Sequence, residues 1–185
     1  MNVLYCMKYK KRFQDIIKRF TEKDKSVLDI CFGDTIIANE CKRRNIRWTG
    51  YDLNRYFVVR AQKNGFNASV GDVVEIQSFP KADVCVMCGS LYHFIEEIES
   101  VLTKLLDSAP KILISEPVEN LSSQKGMIGT ISKILTNAGK GKESFRFDKQ
   151  TLIEVLDVYK IKLQFNYIVI STQRDMLIEI THDRN

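Results

Sequence analysis

The sequence predicts an α/β fold of three layers, in which one sheet of seven strands is mostly parallel and its last strand is antiparallel. Two observations favour this fold. Short apolar segments of strand type alternate with amphipathic helical segments through residue 158, as in parallel sheets whose strands are joined by crossover helices. Two strand-like segments then follow each other directly, and a short connection pairs two strands antiparallel.

Length and composition limit the class of protein. A chain of 185 residues with 44% apolar residues can form one globular domain. We therefore expect a single domain over residues 1–185, with a helical segment at 1–25 and the sheet at 26–185. No apolar run approaches the length of a membrane-spanning helix, so we expect no membrane association. The N-terminal charges follow apolar residues, unlike a secretory signal, and the five cysteines lack a disulfide-framework spacing; both features indicate a cytoplasmic protein.

The net charge is +5, and many basic residues fall into two groups. The first group is Lys8, Lys10, Lys11, Arg12, Lys18 and Arg19, and the second is Lys42, Arg43, Arg44 and Arg47. Either group could attract phosphates or an acidic substrate. Such residues also form ordinary solvated helix faces, and we favour that interpretation.

The first predicted elements are a helix and a strand–turn–helix–strand unit. The helix covers about residues 8–22, where apolar residues recur at helical spacing. The unit from Ser26 to Asn54 has a strand ending in Asp29, a turn containing Gly33, a short helix, and a strand ending in Asp52. In a nucleoside-binding βαβ unit, a carboxylate in this last position accepts hydrogen bonds from ribose hydroxyls. An ordinary βαβ unit without a ligand is the alternative.

The middle of the chain supplies three more strands. Asn54 is expected to cap a helix that ends at Gly65, and residues 66–70 form the third strand. Residues 82–88 are nearly all apolar, as a central parallel strand requires. The fifth strand, at 111–115, ends at Glu116. A helical stripe precedes it, made of Phe94, Ile95, Ile98, Val101, Leu102, Leu105 and Leu106.

The last part of the chain begins irregularly. Apolar residues at 127–135 suggest a helix, and residues 137–142 indicate a mobile loop. Asp148 is expected to cap the next helix. Apolar side chains alternate from Ile161 to Val169 and predict one strand, and Met176 to Ile180 predict the last.

The segment from Val27 to Thr35 reads V-L-D-I-C-F-G-D-T. It resembles motif I of the class I (Rossmann-like) S-adenosylmethionine-dependent methyltransferases, whose usual form is V-L-D-x-G-x-G-x-G. The chain keeps Asp29 and the middle glycine, Gly33, and has Cys31 and Thr35 in place of the outer glycines. The middle glycine matters most, because the chain there passes closest to the ligand. The resemblance covers nearly the whole chain and implies a Rossmann-like fold with S-adenosyl-L-methionine as cofactor.

The resemblance also implies where S-adenosyl-L-methionine binds. The turn from Cys31 to Thr35 would lie against its methionine portion, and Asp52 would accept hydrogen bonds from its ribose. Asp72, in the motif-III-like sequence Gly-Asp-Val, would lie beside the adenine; an ordinary turn aspartate is the alternative. The implied cofactor-binding residues are Asp29, Cys31, Phe32, Gly33, Asp52, Leu53, Asp72, Val73, Cys88 and Gly89.

The segment after the fourth strand, Leu91–Phe94, resembles the L-H-H-F segment of the small-molecule branches of this family. His93 is the candidate base for acceptors that must lose a proton, and a structural histidine capping the next helix is an equal alternative. Glu116 is the second candidate, at the carboxyl end of the fifth strand, and Tyr92 could orient the acceptor. The sequence E-P after that strand also resembles the small-molecule branches.

The predicted function is methyl transfer to a small-molecule acceptor, covered by residues 118–147 with the loop Ala138–Lys142 as a lid. The chain lacks D-P-P-Y and N-P-P-Y, a Pro-Cys nucleophile after the fourth strand, and an intact G-x-G-x-x-G. These absences disfavour base-amine methylation, cytosine C5 chemistry and hydride transfer. Two alternatives stay open: an RNA methyltransferase that uses the basic helices, and a non-catalytic cofactor binder.

We expect no metal site, because Cys85 and Cys88 lie within or at the end of a strand and the sequence has no second cysteine pair. The sequence does not predict an oligomeric state.

Overall fold

The computed structural model describes residues 3–118 and 145–182, with side chains from residue 10 onward. Its strands are β1 (Ser26–Ile30), β2 (Arg47–Asp52), β3 (Asn67–Val70), β4 (Val84–Cys88), β5 (Lys111–Pro117), β6 (Asn166–Thr172) and β7 (Asp175–Thr181). Its α-helices are α1 (Val3–Ile17), α2 (Ile36–Arg43), α3 (Arg55–Lys63), α4 (Ile98–Ser108) and α5 (Lys149–Leu163). A short 3₁₀ helix, Leu91–Phe94, lies between β4 and α4.

The seven strands form one sheet in the order β3-β2-β1-β4-β5-β7-β6. The pairs among β1 to β5 are parallel, whereas β7 runs antiparallel to both β5 and β6. This confirms the predicted seven-stranded sheet with its last strand antiparallel. The order reverses between the adjacent strands β1 and β4. Open α/β sheets place their ligands at the carboxyl ends of strands at such a point.

Apolar side chains cover both faces of the sheet and so create three layers. Leu28 and Met87 belong to a buried cluster on one face, together with residues of α4 and α5. Val27 and Val86 face the opposite side, with residues of α1, α2 and α3. Neighbouring strand residues point to opposite faces, so apolar residues at successive positions supply both cores.

The predicted helix caps are present. Asn54 Oδ1 accepts a hydrogen bond of 2.9 Å from the backbone N of Tyr56, and Gly65 follows α3 with a φ of 78°. Asp148 Oδ1 accepts from Thr151 N at 2.8 Å, while Thr151 Oγ1 accepts from Asp148 N at 2.9 Å. These bonds satisfy backbone N–H groups that a helix leaves unpaired at its start.

The first helix lies further towards the N-terminus than the prediction of residues 8–22. It begins at Val3 and ends at Ile17. The chain after it is held in a turn, because Asp24 Oδ2 accepts from both the backbone N and the Oγ1 of Thr21. Phe20 is buried although it lies after the end of α1. The helical spacing of Phe20 therefore correctly predicted a core residue, but not a residue of the helix.

The strand predicted to begin at Ile161 is wrong at its start. Helix α5 continues to Leu163, and Gln164 then adopts a left-handed conformation with a φ of 54° before β6 begins at Asn166. The alternation was misleading because Ile161 is 82% exposed, whereas Leu163 is buried one helical turn after Tyr159. The residues at the end of α5 therefore follow the helical spacing of apolar side chains, although they also fit the alternation of a strand.

Helix α4 begins at Ile98, so the prediction that its stripe starts at Phe94 is wrong. Phe94 ends the 3₁₀ helix, and Ile95 packs into the core from the segment between the two helices.

The predicted helix at 127–135 and the predicted lid at 138–142 lie outside the described residues, and the single-domain organisation stays a prediction. No helix in the described ranges combines the length and apolar character needed to cross a membrane.

Candidate active site

The turn after β1 is held by positive backbone angles and by one carboxylate. Cys31 and Gly33 have φ values of 56° and 54°. Within the part of the chain that the structure describes, a Cβ built on Gly33 would meet no other atom within 4 Å, so the positive φ of Gly33, not crowding, favours glycine. Cys31 adopts the same conformation with a side chain, which is unfavourable for an L-residue. The backbone of this turn is therefore open on the side where a ligand could approach.

Asp52 joins this turn to the end of β2. Its Oδ2 accepts from Gly33 N at 2.9 Å and its Oδ1 accepts from Asn54 N at 2.8 Å. The side chain is largely buried, with the residue 8% exposed. Because each carboxylate oxygen can accept more than one hydrogen bond, Asp52 keeps the capacity to bind hydroxyl groups. The structure thus brings together Gly33 and Asp52, which the sequence had placed in one site.

Asp29 lies beneath the turn. It is 2% exposed, and its Oδ2 accepts from Trp48 Nε1 at 3.1 Å. Burial raises the pKa of Asp29 to about 8, with a further contribution from the charge of Asp52. The buried ring of Phe32 packs edge-on against Trp48 at a centroid distance of 5.2 Å. Asp29 and Phe32 therefore support the turn from below, and any contribution of Asp29 to cofactor binding would act through that support.

Gly50 is a residue that the sequence did not single out. A Cβ at this position would lie 2.1 Å from a Trp48 ring atom and 2.8 Å from Phe32. Only glycine therefore lets these two rings pack beneath the turn. Its signal in the sequence, a glycine inside a strand, indicates a close approach but does not identify the neighbour.

An open apolar surface surrounds the ends of β2 and β3. Leu53 is 66% exposed, and Tyr56, Val70 and Val74 are also exposed. Asp72 stands at the edge of this surface, where its Oδ1 accepts from Val74 N at 2.9 Å. Asp72 thus has the local turn bond that the alternative interpretation predicted, while the apolar side chains beside it provide a surface that a flat ring could cover.

Val73, which was predicted to contact the cofactor, is buried, with an exposure of 2%. It belongs to the apolar cluster on the α4 and α5 face of the sheet. Its side chain therefore helps to fix the backbone that follows β3.

The second half of the site lies at the ends of β4 and β5. Glu116 is fully buried, and its Oε1 accepts from the backbone N of both Ser90 and Leu91 at 2.7 Å. Its Oε2 is also buried, and among the described residues it has no hydrogen-bond partner. Burial raises the pKa of Glu116 to about 7, although the backbone hydrogen bonds oppose that change. A buried carboxyl oxygen without a donor is uncommon in folded proteins and costs stability.

Tyr92 and His93 follow in the 3₁₀ helix that Glu116 anchors. Their rings lie 4.0 Å apart, and the Arg146 guanidinium lies 3.9 Å from the centre of the Tyr92 ring. His93 is exposed, and its pKa is lowered by partial burial and then by the charge of Arg146. The neutral imidazole is therefore favoured, and it can accept a proton. No spacing in the sequence linked Arg146 to this group.

One contact joins the two halves of the site, and a second joins the end of β4 to helix α1. The Cys31 thiol is hydrogen-bonded with Ser90, and burial raises the pKa of this thiol to about 12. Gly89 has a φ of 68°, and a Cβ built there would lie 2.7 Å from Nη1 of Arg12. Helix α1 therefore approaches the backbone just after Cys88, at the end of β4.

Among the described residues, no group of three or more His, Cys, Asp or Glu side chains could hold a metal ion.

No protein-family model matches the sequence, and no curated protein matches it. Solved structures do share its fold. A complex of DhpI with SAM and HEP has a TM-score of 0.70 and 11% identity, with 98% of this chain and 88% of that chain covered. Magnesium protoporphyrin IX methyltransferase (ChlM) from Synechocystis PCC 6803, with bound SAH, has a TM-score of 0.65 and 13% identity over 99% of this chain and 89% of that chain.

A third structure shows how far this likeness extends. It is described as a putative Zn-dependent alcohol dehydrogenase from Rhodobacter sphaeroides, with a TM-score of 0.66 and 13% identity over 93% of this chain and 89% of that chain. At such identities the likeness concerns the fold, and one fold supports different activities. Together with the sheet order, these matches show that the protein has the Rossmann-like fold of the class I S-adenosylmethionine-dependent methyltransferases.

Proposed function

We propose that the protein binds S-adenosyl-L-methionine and transfers its methyl group to a small-molecule acceptor. The observation that carries this proposal is the pair of hydrogen bonds made by Asp52, which fix an acidic side chain against the glycine turn of β1. Structures of this fold have been solved with SAM and with SAH. This combination of turn, carboxylate and fold supports the same ligand in this chain.

The residues of the first half fit that ligand. Asp52 would accept hydrogen bonds from the ribose, and Leu53 and Asp72 would lie beside the adenine. The open backbone of the turn, from Cys31 to Gly33, would face the methionine portion. Asp29, Phe32 and Val73 would support this surface from below, while Cys88 and Gly89 would border it at the end of β4. When bound, the cofactor supplies a methyl group on a positively charged sulfonium, so the protein mainly has to align the acceptor.

Glu116 is the group that we assign to proton removal from the acceptor. Its unpartnered Oε2 can accept a proton or a hydrogen bond, and its pKa of about 7 suits a general base near neutral pH. His93 is the second candidate, because its lowered pKa favours the neutral form. Tyr92, held between His93 and Arg146, would orient the acceptor.

A small acceptor is favoured over RNA because many cations of the two basic groups are already neutralised. Ion pairs join Arg12 to Asp175, Lys18 to Asp15, Arg19 to Glu179, and both Arg43 and Arg44 to Glu40. Binding of an RNA backbone depends on cations that can replace its counterions. These pairs reduce the positive field that the sequence alone suggested.

The experiment is methyl transfer from isotopically labelled S-adenosyl-L-methionine to fractionated metabolite pools, with total RNA as a parallel acceptor. We expect label in a small-molecule fraction. Label confined to RNA would replace the small-molecule proposal with the RNA alternative. Cofactor binding without label in any fraction would favour a non-catalytic binder, whose altered turn at Cys31 and Thr35 has lost turnover.

A further inference from the structure

The turn that follows β3 carries Asp72, the residue that we place beside the adenine. It is a single helical turn, in which the carbonyl oxygen of Asp72 accepts from Glu75 N at 3.1 Å and from Ile76 N at 2.9 Å. Oδ1 of Asp72 accepts from Val74 N at 2.9 Å. Such a turn leaves its last carbonyl groups without partners inside the turn, as the end of a helix does. The groups that bind those carbonyls therefore decide how firmly the turn is held.

Lys104, on α4, binds two of these carbonyl groups. Its Nζ donates to the carbonyl oxygen of Val73 at 2.9 Å and to that of Val74 at 2.7 Å. An ammonium group has three donors, so Lys104 can make both bonds at once. Because the donor is charged, each bond is stronger than a bond between neutral groups. Lys104 thus holds the end of the turn in the way that a lysine can hold the last carbonyls of a helix.

Helix α4 is a firm support for this contact. Three residues close to Lys104 on the helix are buried in the apolar cluster that α4 shares with α5, namely Val101, Leu102 and Leu105. The side chain of Val73 belongs to the same cluster, and Gly71 N donates to the carbonyl oxygen of Asp52 at 3.1 Å. The start of the turn is therefore fixed to β2 and its middle to the core, while Lys104 fixes its end to α4.

We propose that Lys104 is a positioning residue for cofactor recognition. By holding the carbonyl groups of Val73 and Val74, it keeps Asp72 in the position where Oδ2 accepts a hydrogen bond from the exocyclic amine of the adenine. Lys104 acts through the turn and not on the ligand. The part played by the adenine rests on the proposed binding of S-adenosyl-L-methionine, whereas the effect of Lys104 on the turn does not.

Residue-resolved amide hydrogen exchange tests the effect on the turn without any ligand. Lys104→Met keeps most of the length of the side chain but removes the ammonium group. We expect the amides of Val74, Glu75 and Ile76 to exchange about tenfold faster in this variant, because the turn opens more often once two charge-assisted bonds are lost. Lys104→Arg keeps a cationic donor and should restore most of the protection.

Lys81→Met is the matched control. Lys81 is exposed, and its Nζ donates to the carbonyl oxygen of Asp107 at the end of α4, so this variant also removes a bond between a lysine and a backbone carbonyl. Exchange in the turn after β3 should equal that of the wild type. Equal rates in Lys81→Met and Lys104→Met would overturn the positioning role, whether both rates rise or neither does.

Calorimetric titration with two ligands measures the consequence for recognition. S-inosylhomocysteine carries a carbonyl oxygen where S-adenosylhomocysteine has its exocyclic amine, so Asp72 should favour the adenosyl ligand. We expect Lys104→Met to reduce that preference by about tenfold, while Lys81→Met keeps it. A loss of stability alone would leave the preference unchanged. An unchanged preference in Lys104→Met, or a wild type without any preference, would refute the role of Lys104 in adenine recognition.

The two measurements separate this inference from the proposed function. A wild-type protein that binds neither ligand would refute the proposed function and the role in recognition, whereas faster exchange in Lys104→Met alone would still establish that Lys104 holds the turn. Tight binding of S-adenosylhomocysteine, with the same preference in wild type and Lys104→Met, would leave the proposed cofactor standing and refute the inference.

Discussion

The two halves of the candidate active site differ in how their carboxylates are satisfied. In the first half, both oxygens of Asp52 accept backbone hydrogen bonds, so the turn and the end of β2 are fixed before any ligand arrives. In the second half, Glu116 uses one oxygen in this way, and its other oxygen is buried without a partner among residues 3–118 and 145–182. The difference indicates that the first half is preorganised for binding, whereas the second half retains an unsatisfied group suited to a reacting proton.

The largest expected effect concerns Glu116. Glu116→Gln keeps an oxygen that can accept from Ser90 N and Leu91 N but removes the group that takes a proton. We expect turnover to fall by about 10²–10⁴-fold while the affinity for S-adenosylhomocysteine stays unchanged. Single-turnover kinetics with a cognate acceptor measures this. His93→Ala is the comparison: a larger loss in that variant than in Glu116→Gln would transfer the role of base to His93.

The next effect concerns cofactor affinity in the first half. Asp52→Ala removes an acceptor for ribose hydroxyls and leaves Gly33 N without its bond. We expect binding of S-adenosylhomocysteine to weaken by about 1–3 kcal/mol in a calorimetric titration. Glu154→Ala is the control, because the Glu154 carboxylate accepts from Gln150 on α5; it should leave the affinity unchanged. Equal affinities for wild type and Asp52→Ala would remove Asp52 from the cofactor site.

The sequence predicted the site residues that lie close together along the chain, but not those that come from distant elements. Asp29, Gly33 and Asp52 were placed together because a βαβ unit fixes their geometry within one local segment. The unpartnered oxygen of Glu116 was not predictable, since it depends on how the backbone after β4 packs against the end of β5. Arg146 was missed for the same reason, and Arg12 was named only as one of a basic group: each side chain comes from a distant element, and no local period encodes such contacts.

The fold was more predictable than the boundaries of its elements. Apolar segments of the central strands identified the parallel sheet, because strands buried on both faces require apolar residues at nearly every position. The start of β6 was not predictable, because Leu163 fits both a helical stripe and a strand alternation. The structure decides between the two through the left-handed residue Gln164.

A third effect concerns the dependence of stability on pH. Burial raises the pKa of Glu116 to about 7 and that of Asp29 to about 8, from ordinary values of about 4.3 and about 3.9. The folded state therefore holds more protons than the unfolded state between these values, so the free energy of unfolding falls as pH rises from about 4 to about 8.

Glu116→Gln should reduce that fall by about 1–3 kcal/mol, measured by urea unfolding at pH values across the window. Asp29→Asn should act in the same direction. Glu75→Gln, at an exposed acidic position, is the control and should retain the wild-type pH dependence. A Glu116→Gln profile parallel to that of the wild type would show that Glu116 is not held protonated by its environment.

The smallest expected effects are on the free energy of unfolding, when one glycine in each half is replaced by alanine. Gly33→Ala should lower the free energy of unfolding by about 1–2 kcal/mol, because its positive φ disfavours a side chain although the space is open. Gly89→Ala should cost more, since its Cβ would also displace Arg12. Urea unfolding measures both. A smaller loss for Gly89→Ala would show that α1 does not press on the end of β4.

A crystal structure of the protein grown with S-adenosylhomocysteine would locate the cofactor site. We expect ribose hydroxyls within hydrogen-bonding distance of Asp52, the adenine between Leu53 and Asp72, and the amino-acid portion along the turn from Cys31 to Gly33. Oε2 of Glu116 should face the space next to the ligand sulfur. Ligand bound elsewhere, or a protein that binds none at saturating concentration, would contradict the proposed cofactor site.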